Sequence, residues 1–428
     1  MRSKPLSKAL LVCLVVLAAT LFSFAQKAAQ LQPDEMAAPP ANAKPQYGRV
    51  MPHTNAGTKN GVLPKAPPIT GIDSLVNFTG EYHTFGYDPN GNPQNTWYYD
   101  MVGKAPQNGG TTVINAPVVP VEVKLLDWDG SIRVVDGKKM ISSPSKFVTP
   151  TLKSPVFQTH KFTSSPTATQ VTDAVQRAEF YNVMKADWHT LLNSSVKRPR
   201  SISVPRGLYF FARNPDGTCC AFILIDANEF VNLLFPAVPT DTTTPIGAAE
   251  NAGDITTKDI STFLFPDTYL YFGDPNNCCV LGFHTYDFEP GDPSNGNRER
   301  RYVVNYSSWI SPGLFGAAFV DITALSHEIA ETYNDPFVTS DGVHGVTPWW
   351  LSPNGNCQDD MEDGDVIEGL PRATYPVAMN GMTYHPQNEA LLQWFEFQSP
   401  STALGNAYSY PNMETLTALS PVEKPNCQ

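Results

Sequence analysis

The chain has 428 residues and a formal net charge of −12 at pH 7, which is enough sequence for one large domain or two. A chain with this acidic balance lacks the excess of Lys and Arg that nucleic-acid phosphates require, so we expect no nucleic-acid partner. The sequence contains 17 Tyr, 23 Phe, 7 Trp and 39 Pro, and this composition favours a β-rich fold with many turns.

The first 25 residues are typical of a secretory signal peptide. A basic start at residues 2–8 precedes an apolar run from residue 9 to residue 24, and small residues follow at the cleavage position. The run is shorter than the roughly 20 residues of a membrane span, although an uncleaved anchor is the alternative. Residues 26–74 are rich in Pro and Ala and predict a disordered linker. We therefore expect a secreted protein, extracellular or periplasmic, that is not membrane-integral after cleavage.

Residues 75–165 predict a β-rich region. Residues 118–126 and 131–135 are apolar runs separated by the turn sequence Asp127-Trp128-Asp129-Gly130, which indicates a hairpin. Residues 169–192 then place apolar side chains at roughly helical spacing and predict a second long helix, on which His189 is more readily a core or surface residue than a ligand. Further strands are expected at 208–211, 221–225, 269–272 and 280–283. Residues 166–428 are thus expected to be an α+β region, and the fold class α+β.

Two cysteine doublets enter apolar strands after turn sequences: Cys219-Cys220 and Cys278-Cys279. Removing the signal peptide leaves an even number of cysteines in an exported chain, so we expect disulfide bonds. We predict that the two doublets bridge to each other and that Cys357 pairs with Cys427. The alternative is that some of these thiols stay reduced and buried.

The stretch most informative about chemistry has a His-Glu-x-x-Glu pattern. His327 and Glu331 are four residues apart, so on a helix they project from one face, one turn apart. The surrounding run begins near Ala317, and Asn334 and Pro336 supply its end. A buried stripe is predicted from the residues at helical spacing, which are Ile322, Leu325, Ile329 and Tyr333.

This spacing matches the zinc-binding helix in which two ligands lie four residues apart and the intervening Glu handles a proton. An acidic loop, residues 357–365, follows and can deliver a third ligand from beyond the helix. We therefore predict His327, Glu331 and Glu362 as metal ligands, water at the fourth position and Glu328 as the catalytic general base. The alternative is a solvated helix that binds no metal.

The run from His327 to Pro336, followed by residues 355–358 and the acidic residues 362–365, resembles a family of secreted bacterial proteins. It is more distantly similar to the plant phosphate-induced, or exordium-like, secreted proteins. Parts of residues 169–180 also resemble the bacterial family, and the similarity extends from about residue 75 to the end. The resemblance implies a secreted metal-binding protein, with peptidase activity suspected by analogy with zincin metallopeptidases. Glu331 departs from the zincin pattern, which has a second His there.

The sequence therefore predicts a secreted metal-dependent hydrolase, a zinc peptidase acting on a protein, a peptide or an envelope polymer. Two carboxylate ligands weaken zinc as a Lewis acid, so Mn²⁺ or another divalent metal is an alternative. The alternative function is a non-catalytic envelope-associated protein with a structural metal, or with a carbohydrate-binding surface that includes Trp349 and Trp350. An enzyme would keep the fourth coordination position open, whereas Asp365 or Asp335 would fill it in a structural site.

Overall fold

The computed structural model describes residues 34–40, 72–87, 93–162, 167–317, 319–338, 349–358, 361–420 and 423–424. The α-helices are α1 Ser145–Leu152, α2 Val171–Glu179, α3 Ala227–Leu234, α4 Pro245–Asn251, α5 Thr323–Asn334 and α6 Leu392–Phe395, and short 3₁₀ helices lie at Pro106–Asn108, Pro293–Asn295 and Leu404–Asn406. The strands are β1 Ile72–Asp73, β2 Asn77–Tyr87, β3 Pro93–Val102, β4 Thr111–Leu125, β5 Val134–Val135, β6 Lys138–Lys139, β7 Ile141–Ser142, β8 His189–Val196, β9 Arg200–Val204, β10 Tyr209–Arg213, β11 Cys219–Asp226, β12 Ile260–Pro266, β13 Thr268–Tyr271, β14 Cys278–Val280, β15 Gly282–Glu289, β16 Glu299–Phe315, β17 Phe319–Asp321, β18 Trp349–Leu351, β19 Cys357–Gln358, β20 Val377–Met379, β21 Met382–Tyr384, β22 Glu389–Ala390, β23 Ser409–Tyr410 and β24 Glu423–Lys424. The mixture confirms the α+β class.

The largest sheet has nine strands and is organised around three that are mutually parallel. Its central order is β1-β16-β12-β4-β7, with β15 and β17 also paired to β16 and with β8 and β9 also paired to β4. Strand β12 pairs in parallel with both β16 and β4, and all seven of its residues are buried. A strand buried along its whole length is typical of a parallel sheet covered on both faces. The curled sheet thus forms the core on which α5 packs.

A second sheet has four strands in the order β10-β11-β13-β14. These strands confirm the predictions at 208–211, 221–225 and 269–272, and the 280–283 prediction falls across β14 and β15. The predicted hairpin turn is also present, because the Asp127 amide donates to the Ser131 carbonyl at 2.8 Å and Leu126 forms an antiparallel bridge with Ile132.

The predicted second long helix is wrong beyond its first half. Helix α2 ends at Glu179, and His189 begins strand β8, which pairs in parallel with β4 over eight residues. Pairing to a long central strand here overrides the weak helical periodicity of the sequence. His189 Nδ1 lies 2.8 Å from Asp173 Oδ2, a hydrogen-bonding contact between the strand and α2.

Helix α5 carries the His-Glu-x-x-Glu stretch and ends at Asn334, as predicted. It begins at Thr323 rather than near Ala317, because residues 319–321 form β17 and pair with β16. The predicted stripe is confirmed in the largest core cluster by Ile322, Leu325, Ile329 and Tyr333, each at most 2% exposed. All twelve residues of the helix are buried, so the alternative is wrong in its expectation of a solvated helix.

The predicted bridging between the cysteine doublets is wrong. Each doublet instead forms a disulfide between its own neighbours, Cys219–Cys220 and Cys278–Cys279. Their strands, β11 and β14, lie on opposite sides of β13. Strands two positions apart are separated by about 9–10 Å, whereas a disulfide joins Cα atoms less than about 7 Å apart. The predicted Cys357–Cys427 pairing lies outside the described residues and side chains.

The signal peptide and most of the predicted linker also lie outside the described residues. Within that linker, residues 34–40 are ordered against β10: the Phe211 amide donates to the Asp34 carbonyl at 2.9 Å, and Asp34 forms ion pairs with Arg133 and Arg206. These ion pairs fix a segment whose composition alone predicts disorder. No helix in the described part of the chain is both long and apolar enough to cross a membrane.

Candidate metal centre

Three parts of the chain meet at the polar residues of α5. The helix supplies His327, Glu328 and Glu331, and the loop after β19 supplies an acidic run. The third part is β15, where Gly282 and His284 are two residues apart and so face the same side of the sheet. His284 is 4% exposed, and the sequence prediction had not included it.

Glu331 lies between two buried imidazoles. Its Oε1 is 3.1 Å from His327 Nε2, and its Oε2 is 3.3 Å from His284 Nδ1. The backbone amide of Asp365 also donates to Oε1 at 3.2 Å. Since Glu331 is 1% exposed, these protein groups, rather than solvent, surround its charge.

The described residues contain three groups of metal-ligating side chains, all buried, and in each group the donor atoms lie within 4.8 Å of one another. The groups are His284, Glu331 and Glu362; His327, Glu328 and Glu331; and His327, Asp365 and Glu368. Donors to one zinc ion lie at most about 4.4 Å apart, since each bond is about 2.0–2.2 Å long. Small movements would therefore close any of these groups around an ion.

The structure brings the predicted ligands together only in part. His327 and Glu331 share a donor group, as the helix spacing predicts. Glu362 belongs to a different group, with Glu331 and His284. Asp365, predicted to fill a structural site, is 3.5 Å from His327 Nε2 through its Oδ1. Glu368 belongs to the same donor group and had not been predicted.

Glu328 faces the same cluster but stands back from it. Its Oε1 is 3.9 Å from His327 Nε2 and its Oε2 is 3.7 Å from His284 Nδ1. Both distances exceed those from Glu331 to the same two nitrogens, and both exceed direct hydrogen-bonding distance. Glu328 is therefore placed beside the candidate ligands, at a distance that a water molecule can bridge.

Two glycines bring the backbone directly against these side chains. A Cβ atom at Gly364 would lie 2.4 Å from His327 Nδ1, and one at Gly282 would lie 2.5 Å from Glu328 Oε1. Any larger residue would displace the imidazole or the carboxylate, because cores of this density leave no spare volume. Because these two glycines have no side chain, their backbone packs directly against His327 and Glu328 and limits the movement of both side chains.

A second layer of hydrogen bonds orients the cluster. His284 Nε2 lies 3.1 Å from the Asp335 carbonyl, an acceptor, so that nitrogen carries the proton and Nδ1 faces Glu331 as a free electron pair in the neutral ring. The Asn334 amide donates to Asp363 at 2.9 Å, and the Gln387 amide donates to the Gly364 carbonyl at 2.7 Å. These bonds hold the acidic loop against the end of α5.

Burial and mutual charge shift the pKa values of the cluster in both directions. Burial by itself lowers the pKa of His284 and His327, but Glu328 and Glu331 raise both pKa values well above 6.5. Burial raises the pKa of Glu331, but the two imidazoles lower it to about 2. Burial dominates at Glu368 and raises its pKa well above 4.5. Protons on the imidazoles thus supply positive charge that a metal cation can also supply.

No protein-family model matches this chain. Neither a curated protein nor a solved structure is similar to it beyond chance expectation. The relationship to exordium-like proteins and zincins therefore stays a prediction, and functional assignment depends on the geometry and chemistry of the cluster itself.

Proposed function

We propose that this protein is a secreted metal-dependent hydrolase whose metal centre is the cluster around Glu331. The observation that carries the proposal is the position of the Glu331 carboxylate, held between His284 and His327 in the protein interior at 3.3 Å and 3.1 Å. Imidazole and carboxylate groups are the donors of Zn²⁺ and Mn²⁺ sites, and here both kinds surround one buried carboxylate. The substrate class we propose is a protein, a peptide or an envelope polymer.

The charge of the cluster supports a metal rather than an inert core. Its donor groups contain two His and five carboxylates, all buried. Buried charges are stable in proteins when they are paired or when they coordinate metals. Two imidazolium ions could offset at most two of five negative charges, so further protons or cations are required for the rest.

A bound divalent cation would polarise the scissile carbonyl and acidify the attacking water. Within the chain, Glu328 is the candidate general base, since its carboxylate lies 3.7 Å and 3.9 Å from the two imidazole nitrogens and leaves room for a water molecule. Burial, the largest cause, raises the pKa of Glu328 above 4.5. A raised pKa brings a carboxylate closer to the value at which general bases and acids work at neutral pH.

A structural metal site is the second candidate function. Asp365 and Glu368 share a donor group with His327, so protein side chains can fill positions that an enzyme would leave to water. Such a site would brace α5 against the acidic loop without catalysis. The two candidates differ in whether a variant can lose hydrolysis while it keeps its metal.

Metal analysis and hydrolase assays on the purified full chain test the proposal. We expect bound zinc or manganese, hydrolysis of a casein or peptide-library substrate, and loss of that activity with a chelator. Glu328→Gln should keep the metal and lose the activity, while the matched control Glu250→Gln, a buried carboxylate on α4, should change neither. Metal with no hydrolysis of any substrate would favour the structural role. Absence of metal after growth and refolding with each cation would contradict both roles.

A further inference from the structure

The two oxygens of Glu331 face different partners. Oε1 is directed to His327 at 3.1 Å, while Oε2 is directed to His284 at 3.3 Å. A carboxylate that presents one oxygen to each of two ligand sets has the arrangement of a bridging ligand. We propose that the centre holds two divalent cations bridged by Glu331. This inference rests on the proposed metal-binding function and specifies its nuclearity.

The remaining carboxylate donors divide between the two imidazoles. His284 and Glu362 form a group with Glu331, whereas Asp365 and Glu368 form a group with His327. Among the described residues, the two imidazoles share no group of donor atoms within 4.8 Å of one another. Since the donors of one ion lie at most about 4.4 Å apart, a single ion would leave one imidazole and its carboxylates without metal. With two ions, each imidazole and its neighbouring carboxylates bind one of them.

The number of buried carboxylates also fits two cations. The five carboxylates of the donor groups carry five negative charges when ionised; one divalent cation would leave three of them uncompensated, and two would leave one. Uncompensated buried charge is strongly destabilising. Ions in two-metal sites are about 3.5–4 Å apart, a separation that a carboxylate spans with its two oxygens.

Two further buried carboxyl groups interact with the cluster. Asp363 is 0% exposed and Glu389 is 1% exposed, and each has one carboxyl oxygen without a hydrogen-bond partner. Both interact electrostatically with Glu331 and His327. A second cation nearby would stabilise these unpartnered oxygens as well.

The number of metal ions bound per chain tests the two-ion centre separately from the proposed metal-binding function. The purified full chain is stripped with a chelator, reloaded with ZnCl₂ or MnCl₂ in separate samples, desalted, and analysed for metal per chain. We expect two equivalents, and in the manganese sample an electron paramagnetic resonance spectrum of an exchange-coupled pair. One equivalent with the spectrum of an isolated ion would overturn the two-ion centre and leave the proposed function intact, whereas none would overturn both.

Variants that remove one donor from each ligand set, called half-site variants here, test which residues bind which ion. Glu362→Gln and Glu368→Gln should each lower the content from two equivalents to one and abolish the exchange coupling, because each removes a donor from a different set. Glu250→Gln, the matched control outside the cluster, should keep two. Circular dichroism confirms that each variant is folded. If both variants keep two coupled ions, the assignment of Glu362 and Glu368 to separate ions is wrong. The stoichiometry and spectrum of the wild-type chain decide whether the centre holds two ions, even where a variant does not fold.

Discussion

Glu331→Gln and Glu328→Gln make the same chemical change three residues apart on α5, yet we predict different effects on the stability of the metal-free protein. Burial raises the pKa of Glu331, but the charges of His327 and His284 bring it down to about 2. At Glu328, burial outweighs the same two imidazoles and the pKa is raised above 4.5. The folded protein therefore stabilises the charge of Glu331 and disfavours the charge of Glu328.

The magnitude for Glu331 follows from its pKa. A fall from 4.5 to about 2 corresponds to about 3 kcal/mol, at about 1.4 kcal/mol per pKa unit. Because the pKa of the folded state is the lower one, this stabilisation is complete above pH 4.5 and is lost as the pH falls through about 2. At neutral pH we therefore expect Glu331→Gln to lower the free energy of unfolding by about 3 kcal/mol, and Glu328→Gln to lower it by clearly less, because the folded protein does not favour the charge of Glu328.

Urea unfolding of chelator-treated protein at neutral pH, followed by tryptophan fluorescence and circular dichroism, measures both changes. The two variants control for each other, since each replaces a buried carboxylate on α5 by the same amide. Equal losses of stability in the two variants would refute the argument that the imidazoles stabilise Glu331 selectively. A larger loss for Glu328→Gln would reverse the assigned roles.

Three further predictions concern the residues around Glu331, and a fourth concerns the cysteine doublets. His284→Ala should weaken metal binding roughly tenfold or more in a chelator-competition titration, whereas His160→Ala, outside the cluster, should not; equal affinities would exclude His284 as a ligand. Gly364→Ala should lower the free energy of unfolding by about 1–3 kcal/mol and reduce metal content, because its Cβ would lie 2.4 Å from His327 Nδ1; unchanged urea midpoints and metal content would show that the loop yields freely. Metal affinity should rise with pH from 6.5 upwards, because the pKa of both imidazoles is raised and protons therefore compete with the cation. Calorimetry in buffers of different ionisation enthalpy should detect the protons that are released when metal binds. Peptide mapping without reduction should find each cysteine doublet oxidised within one peptide; a cross-linked pair of peptides would restore the original bridging prediction.

Local spacing was sufficient to predict α5. The positions of Ile322, Leu325, Ile329 and Tyr333 depend only on the helical repeat, and all four are buried in the core. The juxtaposition of His327 and Glu331 follows from the same repeat, and Nε2 and Oε1 are 3.1 Å apart. Turn residues and apolar runs likewise predicted β10, β11 and β13, because both act over a few neighbouring residues.

Only the tertiary structure decided what stands opposite the helix. His284 reaches Glu331 because β15 pairs antiparallel with β16 and faces α5, and no local pattern distinguishes this histidine from any other buried one. Long-range pairing also ended α2 at Glu179 by drawing residues 189–196 onto β4, and it placed β13 between the cysteine doublets. The sequence by itself determined one face of the candidate centre, since helix geometry is local; strand order, which depends on contacts between distant segments, determined the other.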